Sequence, residues 1–150
     1  MTGRAFTARP LTARDVIALL ELERHPEGGW YRQTFADPAP DGARHLSTAI
    51  YYLLEGNDVS AWHRVDAAEV WHWHAGAPLR LRLSHEGKVI DEHILGPDLR
   101  DAERPQVIVP RHCWQTARSL GDWTLVGCTV APGFQFSGFE MAEVNWEPGE

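Results

Sequence analysis

Between Leu46 and Val130 the chain is divided by Gly, Pro and Asn-Asp punctuation into short segments, each only long enough for one strand. The segment Leu79–Ser84 alternates throughout. Leu79, Leu81 and Leu83 fall on one face and Arg80 and Arg82 on the other, the period-two signature of a half-buried strand. Strands are predicted over Leu46–Leu53, Val59–Arg64, Glu69–His74, Leu79–Ser84, Lys88–Leu95, Gln106–Val109, Cys113–Ser119 and Trp123–Val130. So many short strands without intervening helices must close on themselves as a sandwich or barrel. The one helical pattern comes first. Thr12 and Asp15 form a capping box, and Val16, Ile17, Leu19 and Leu20 supply the apolar stripe, with Pro26, Gly28 and Gly29 ending it. Asp37–Gly42 reads as a loop and Glu147–Glu150 as a loose tail.

The 150 residues suit one domain, and a 43% hydrophobic content gives it a core. The formal net charge of −7 argues against a nucleic-acid surface, which needs a basic excess. Cys113 and Cys128 form no CxxC pair, so neither a disulfide framework nor a cysteine-built metal site is expected. The opening residues through Arg14 lack the apolar run of a signal peptide, and no stretch is long and apolar enough for a membrane helix. A cytoplasmic protein with no membrane or nucleic-acid partner is expected. The seven Trp must be buried or must contact a ligand.

Chemistry concentrates in the run from Trp62 to His74, WHRVDAAEVWHWH. On its second strand Glu69, Trp71 and Trp73 share one face, and Val70, His72 and His74 share the other. If the Glu69 face looks into a barrel, that interior holds a carboxylate among aromatic walls. Such a group must bind a metal, pair with a cation, accept hydrogen bonds or take up a proton. His72 and His74 point away from it and suit sheet packing or a subunit contact. Trp62 alternates with His63, and Trp114 with Gln115. His25, His45, His85 and His93 sit in turn-like contexts that suggest no role.

Several long runs resemble the DUF985 (Cupin_5) family of the cupin superfamily. They are His25–Arg32 (HPEGGWYR), Ser47–Leu54, Ser60–Asp66, Glu69–Gly76, Leu95–Asp98 and Gly127–Phe134. The resemblance covers about residues 15–142. It implies a single all-β domain, a double-stranded β-helix or jelly-roll barrel with a short N-terminal helix, and a homodimer. The cupin metal motifs carry over only in part. His63 matches the first ligand His, Val65 replaces the second, Glu69 matches the Glu, and Gln115 stands where the last His would be. A divalent metal on His63, Glu69 and Gln115 would have a weak donor set, so the expectation is either no cofactor or a divalent metal.

The resemblance to RmlC-type sugar epimerases implies a His base and a Tyr acid. His63 then abstracts the proton, Glu69 orients it, and Tyr51 or Tyr52 supplies the acid, according to which faces inward. Tyr52, Ser47, Trp71, Trp73, Gln115 and Arg32 are the expected ligand contacts, with Arg44 and Arg64 further candidates at the mouth. The expected partner is a small molecule. Three functions fit: an isomerase or epimerase for a sugar-like or sugar-nucleotide ligand, a non-catalytic binding module, and a metal-dependent cupin enzyme. No Gly-rich phosphate loop opens a helix, and no GxSxG motif is present.

Overall fold

The computed structural model describes residues 9–149. Among them one α-helix, α1 (Ala13–Leu20), precedes eleven strands: β1 (Glu23–Arg24), β2 (Trp30–Asp37), β3 (Ser47–Glu55), β4 (Ser60–Val65), β5 (Ala68–Gly76), β6 (Leu79–His85), β7 (Val89–Leu95), β8 (Gln106–Val109), β9 (Trp114–Ser119), β10 (Trp123–Ala131) and β11 (Phe139–Met141). They form two antiparallel sheets, of order β1-β2-β3-β10-β5-β8 and β11-β4-β9-β6-β7, which face each other as a jelly roll. The predicted capping box is present. Asp15 N–H donates to Thr12 Oγ1 and Thr12 N–H to the Asp15 carboxylate.

Alternation on β3 explains how helix and barrel share one strand. Thr48, Ile50, Tyr52 and Leu54 point into the barrel, whereas Tyr51 and Leu53 point outward. There they pack with Ala13, Val16, Leu22, Trp30, Trp123 and Leu125 beneath α1. The choice between the two tyrosines is therefore settled by the helix, because its apolar stripe needs Tyr51 and Leu53 as a floor.

The barrel is not filled evenly. One half is solid, packed with Leu79, Leu81, Leu83, Leu95, Val107, Val109, Ala117 and Val126. The other half, bounded by β2, β3, β10, β5, β4 and β11, stays open. Two strands bordering that open half, β2 and β11, lie outside the predicted strands. β2 carries a bulge between Gln33 and Phe35 that breaks its alternation, and β11 is only three residues long.

The tail differs from the loose end expected of it. Trp146 stacks edge-on against Trp62 at 5.8 Å between centroids and lies 4.8 Å from Trp114. Gly149 N–H donates to the Gly87 carbonyl at 2.7 Å. The two tryptophans facing away from the cavity are thus covered by the chain's own C-terminal segment.

Candidate functional site

The open half of the barrel holds a cavity of about 140 Å³. Its polar floor is built by His25, Glu27, His63 and Glu69, and its rim by Phe134, Phe136 and Phe139. Tyr31, Gln33, Thr48, Ile50, Val65, Cys128 and Val130 complete the wall.

Glu27 reaches this floor because the β1–β2 turn is tied down from several sides. His25 N–H donates to Gly29 O at 2.9 Å, and Gly28 N–H to His25 O at 3.0 Å. Ala61 N–H on β4 donates to Glu27 O at 2.9 Å, and the buried Tyr52 hydroxyl donates to Gly28 O. Gly28 and Gly29 have φ of +106° and +79°, and a Cβ on Gly28 would lie 2.3 Å from Val59 O. Only glycine fits there. The Pro-Glu-Gly-Gly sequence thus acts as a bracket that presses the Glu27 carboxylate against His63.

His63 Nε2 lies 2.9 Å from Glu27 Oε2, and Nδ1 lies 2.7 Å from Ala61 O. Ala61 O can only accept, and an ionised Glu27 can only accept, so the ring carries a proton on both nitrogens. Burial works against that charge, but the Glu27 carboxylate outweighs it and raises the His63 pKa to about 9. Burial likewise pushes the Glu27 carboxyl up, and the His63 charge and hydrogen bond pull it down further, so that it stays ionised. His25 has its pKa lowered, chiefly by burial, and its Nδ1 accepts the Glu27 N–H at 3.1 Å.

Glu69 is held differently. Gln115 Nε2 donates to Glu69 Oε1 at 2.8 Å, and Trp71 Nε1–H donates to Gln115 Oε1 at 2.9 Å. The indole proton fixes the amide so that its NH2 must face the carboxylate. Burial raises the Glu69 pKa to about 7, in spite of the His63 charge and the Gln115 hydrogen bond, which oppose the rise. The floor therefore presents one permanent ion pair and one carboxyl poised at neutrality.

A family model described as "Cupin superfamily (DUF985)" matches residues 14–142. The chain belongs to this cupin family. The cupin is 41% identical to a protein from Shewanella oneidensis whose crystal structure superposes with a TM-score of 0.85, over 89% of this chain and 85% of that one. A hypothetical protein from Leishmania major is 28% identical, with a TM-score of 0.80 over 88% of both chains. Oxalate decarboxylase from Bacillus subtilis shares the fold at 13% identity and a TM-score of 0.61, over 79% of this chain and 29% of that enzyme. A comparison with functionally curated proteins returned no match.

The metal positions of the cupin motif do not fit a metal here. Both nitrogens of His63 are engaged, Val65 has no donor, and the Gln115 oxygen is turned onto Trp71. Among the described residues no group of three or more His, Cys, Asp or Glu side chains converges as a ligand set. Among the described residues, too, no helix is long and apolar enough to cross a membrane.

The sequence-predicted residues separate into two groups. His63 and Glu69 line one cavity, with Gln115 and Tyr52 directly behind it in the buried shell. The others lie elsewhere. Trp71 is buried in the core behind Gln115, and Trp73 donates to Ala77 O rather than walling the cavity. Ser47 falls off the cavity face because β3 parity brings Thr48 inward instead. Arg32 pairs with Glu21 at 2.9 Å on the outer surface, while its neighbours Tyr31 and Gln33 face the cavity. Arg44 is bound to Asp66, and Arg64 to Glu140.

The carboxylate that orients His63 is Glu27, not Glu69. Glu27 and His25 carry no alternation signal, since they lie in a turn. Their one trace in the sequence is a glutamate wedged between Pro26 and two glycines, inside the run that most resembles the family.

Proposed function

We propose that this cupin is an isomerase or epimerase that moves a proton on a small, sugar-like carbonyl compound held in the barrel. The observation that carries the reading is the pairing of two proton-bearing groups on one enclosed floor. Glu69, with a pKa near 7, is ionised often enough to act as the base. The His63 imidazolium, kept charged by Glu27, borders the same cavity and favours the ionised form of Glu69, while its two N–H groups stay on Glu27 and Ala61; the developing oxyanion is met by the neutral donors of the wall, Tyr31, Gln33 and Thr48.

This assigns the base to Glu69 and makes His63 the fixed charge that tunes it. A doubly hydrogen-bonded imidazolium has no lone pair with which to take a proton, whereas Glu69 keeps one carboxylate oxygen beyond its bond to Gln115. The cavity volume of about 140 Å³ matches the roughly 150 Å³ that accepts a benzene-sized ring. One sugar ring is enclosed, and any nucleotide attached to it projects past the phenylalanine rim.

The test is solvent deuterium exchange into candidate ketoses, aldoses and nucleotide-linked keto-sugars, followed by mass spectrometry. Incorporation that is lost in Glu69→Gln and His63→Ala supports the reading. Tight binding of such a compound with no exchange would instead make the cupin a binding module.

A further inference from the structure

We propose that the enclosed part of the ligand carries no negative charge, and that any phosphate or carboxylate on the ligand stays outside the phenylalanine rim; this rests on the cavity being the ligand site. Among the described residues, no Lys or Arg lines the cavity. Its one cationic side chain, His63, is already matched by Glu27 at 2.9 Å, so it has no unspent charge to offer an anion. Glu69 adds a second carboxyl to the same floor. An anionic group entering this space would leave water, find no counter-ion and approach two carboxyls, each a cost that rises in a buried site.

The arginines nearest the rim do not change this balance. Arg44 is held by both Asp66 oxygens, at 3.0 and 2.7 Å, and Arg64 by Glu140 at 2.7 Å. What the wall does offer is neutral and suited to hydroxyl and carbonyl groups, namely the side chains of Gln33, Tyr31 and Thr48. Three phenylalanines stacked edge-to-face, with centroids 5.0 to 6.1 Å apart, give the ring an apolar lid. Neutral donors at one end and aromatic carbon at the other describe a site for an oxygen-bearing ring without negative charge.

Cys128 supplies a reporter that needs no knowledge of the ligand. Its thiol lines the cavity and that of Cys113 does not; burial and the Glu69 and Glu27 carboxyls raise the Cys128 pKa, so its modification is slow and is followed over hours. Hydroxyethyl, sulfonatoethyl and aminoethyl methanethiosulfonates have the same reach and carry neutral, anionic and cationic heads. Each would be reacted with the intact protein at pH 8, with peptide mass spectrometry separating Cys128 from Cys113. Rates are divided by those of a small free thiol. The neutral reagent should modify Cys128 roughly tenfold or more faster than the anionic one, and Glu69→Gln should narrow that ratio.

Equal or faster modification by the anionic reagent would overturn the proposal. So would a cationic reagent no faster than the anionic one, because the ionised Glu69 should draw a cation in. Labelling does not depend on turnover. A protein that discriminates as expected but exchanges no deuterium would therefore refute the isomerase reading alone.

Discussion

His63 and Glu27 form an ion pair of 2.9 Å in which both side chains are almost wholly shielded from solvent. Removing one member leaves the other charged and unmatched in a buried site. Glu27→Gln should destabilise the protein by about 3 kcal/mol in urea denaturation. It should also release the His63 proton, bringing the imidazole pKa down from about 9 to below its ordinary value of 6.5, as read by NMR titration. A His63 pKa that stays high in this variant would show that Glu27 is not what holds the charge.

Glu69 behaves in the opposite sense to an ordinary ion-paired carboxylate. Its folded pKa of about 7 lies above its usual 4.5, so between these values the native state binds more protons than the unfolded one. Its contribution therefore weakens as pH rises from 4.5 to 7 and is constant above that. Glu69→Gln keeps an acceptor for the Gln115 amide but carries no charge. It should match the parent at pH 4 and exceed it at pH 8 by on the order of 2–3 kcal/mol. Chemical denaturation at the two pH values checks this, and equal stability differences at both would refute it.

His63 shifts stability over a higher window. Its pKa is raised in the fold, so its contribution is complete below 6.5 and is lost as pH passes through about 9. On the proposed isomerase reading, exchange depends on the same two groups. Exchange should rise with pH as Glu69 ionises near 7, and fall as His63 loses its proton near 9. In Glu69→Gln exchange should be lost at every pH.

The Pro-Glu-Gly-Gly bracket makes a backbone prediction. Gly28→Ala places a methyl group against Val59 O at a positive φ. It should cost about 2 kcal/mol of stability. It should also lower the His63 pKa, because Glu27 rides on the displaced turn. A purely structural glycine would show the first effect without the second.

Strand alternation made most of the barrel readable from the residues. Gln106–Val109 was bounded to the residue, and Leu79–Ser84 differs by one residue at its end. The same parity brought His63 and Glu69 to one cavity. It failed where its premise did. Ser47 and Tyr52 are an odd number of residues apart on a regular strand and cannot share a face, so they cannot both be ligand contacts by alternation. Trp71 and Trp73 do share the Glu69 face, but parity says nothing of depth along the barrel axis, and both lie beyond the floor. Glu27 gives no alternation signal because turns have no period. Its position depends on contacts with Ala61 and Tyr52, far away in the sequence.

Leucine and valine plug one half of the barrel, so the cavity is closed at that end. Phe134, Phe136 and Phe139, of which Phe136 is the most exposed, border it elsewhere. If the proposed isomerase reading holds, a ligand exchanging past these rings would be held to their pace, and that pace would set a ceiling on turnover that no improvement in the proton-transfer groups could lift.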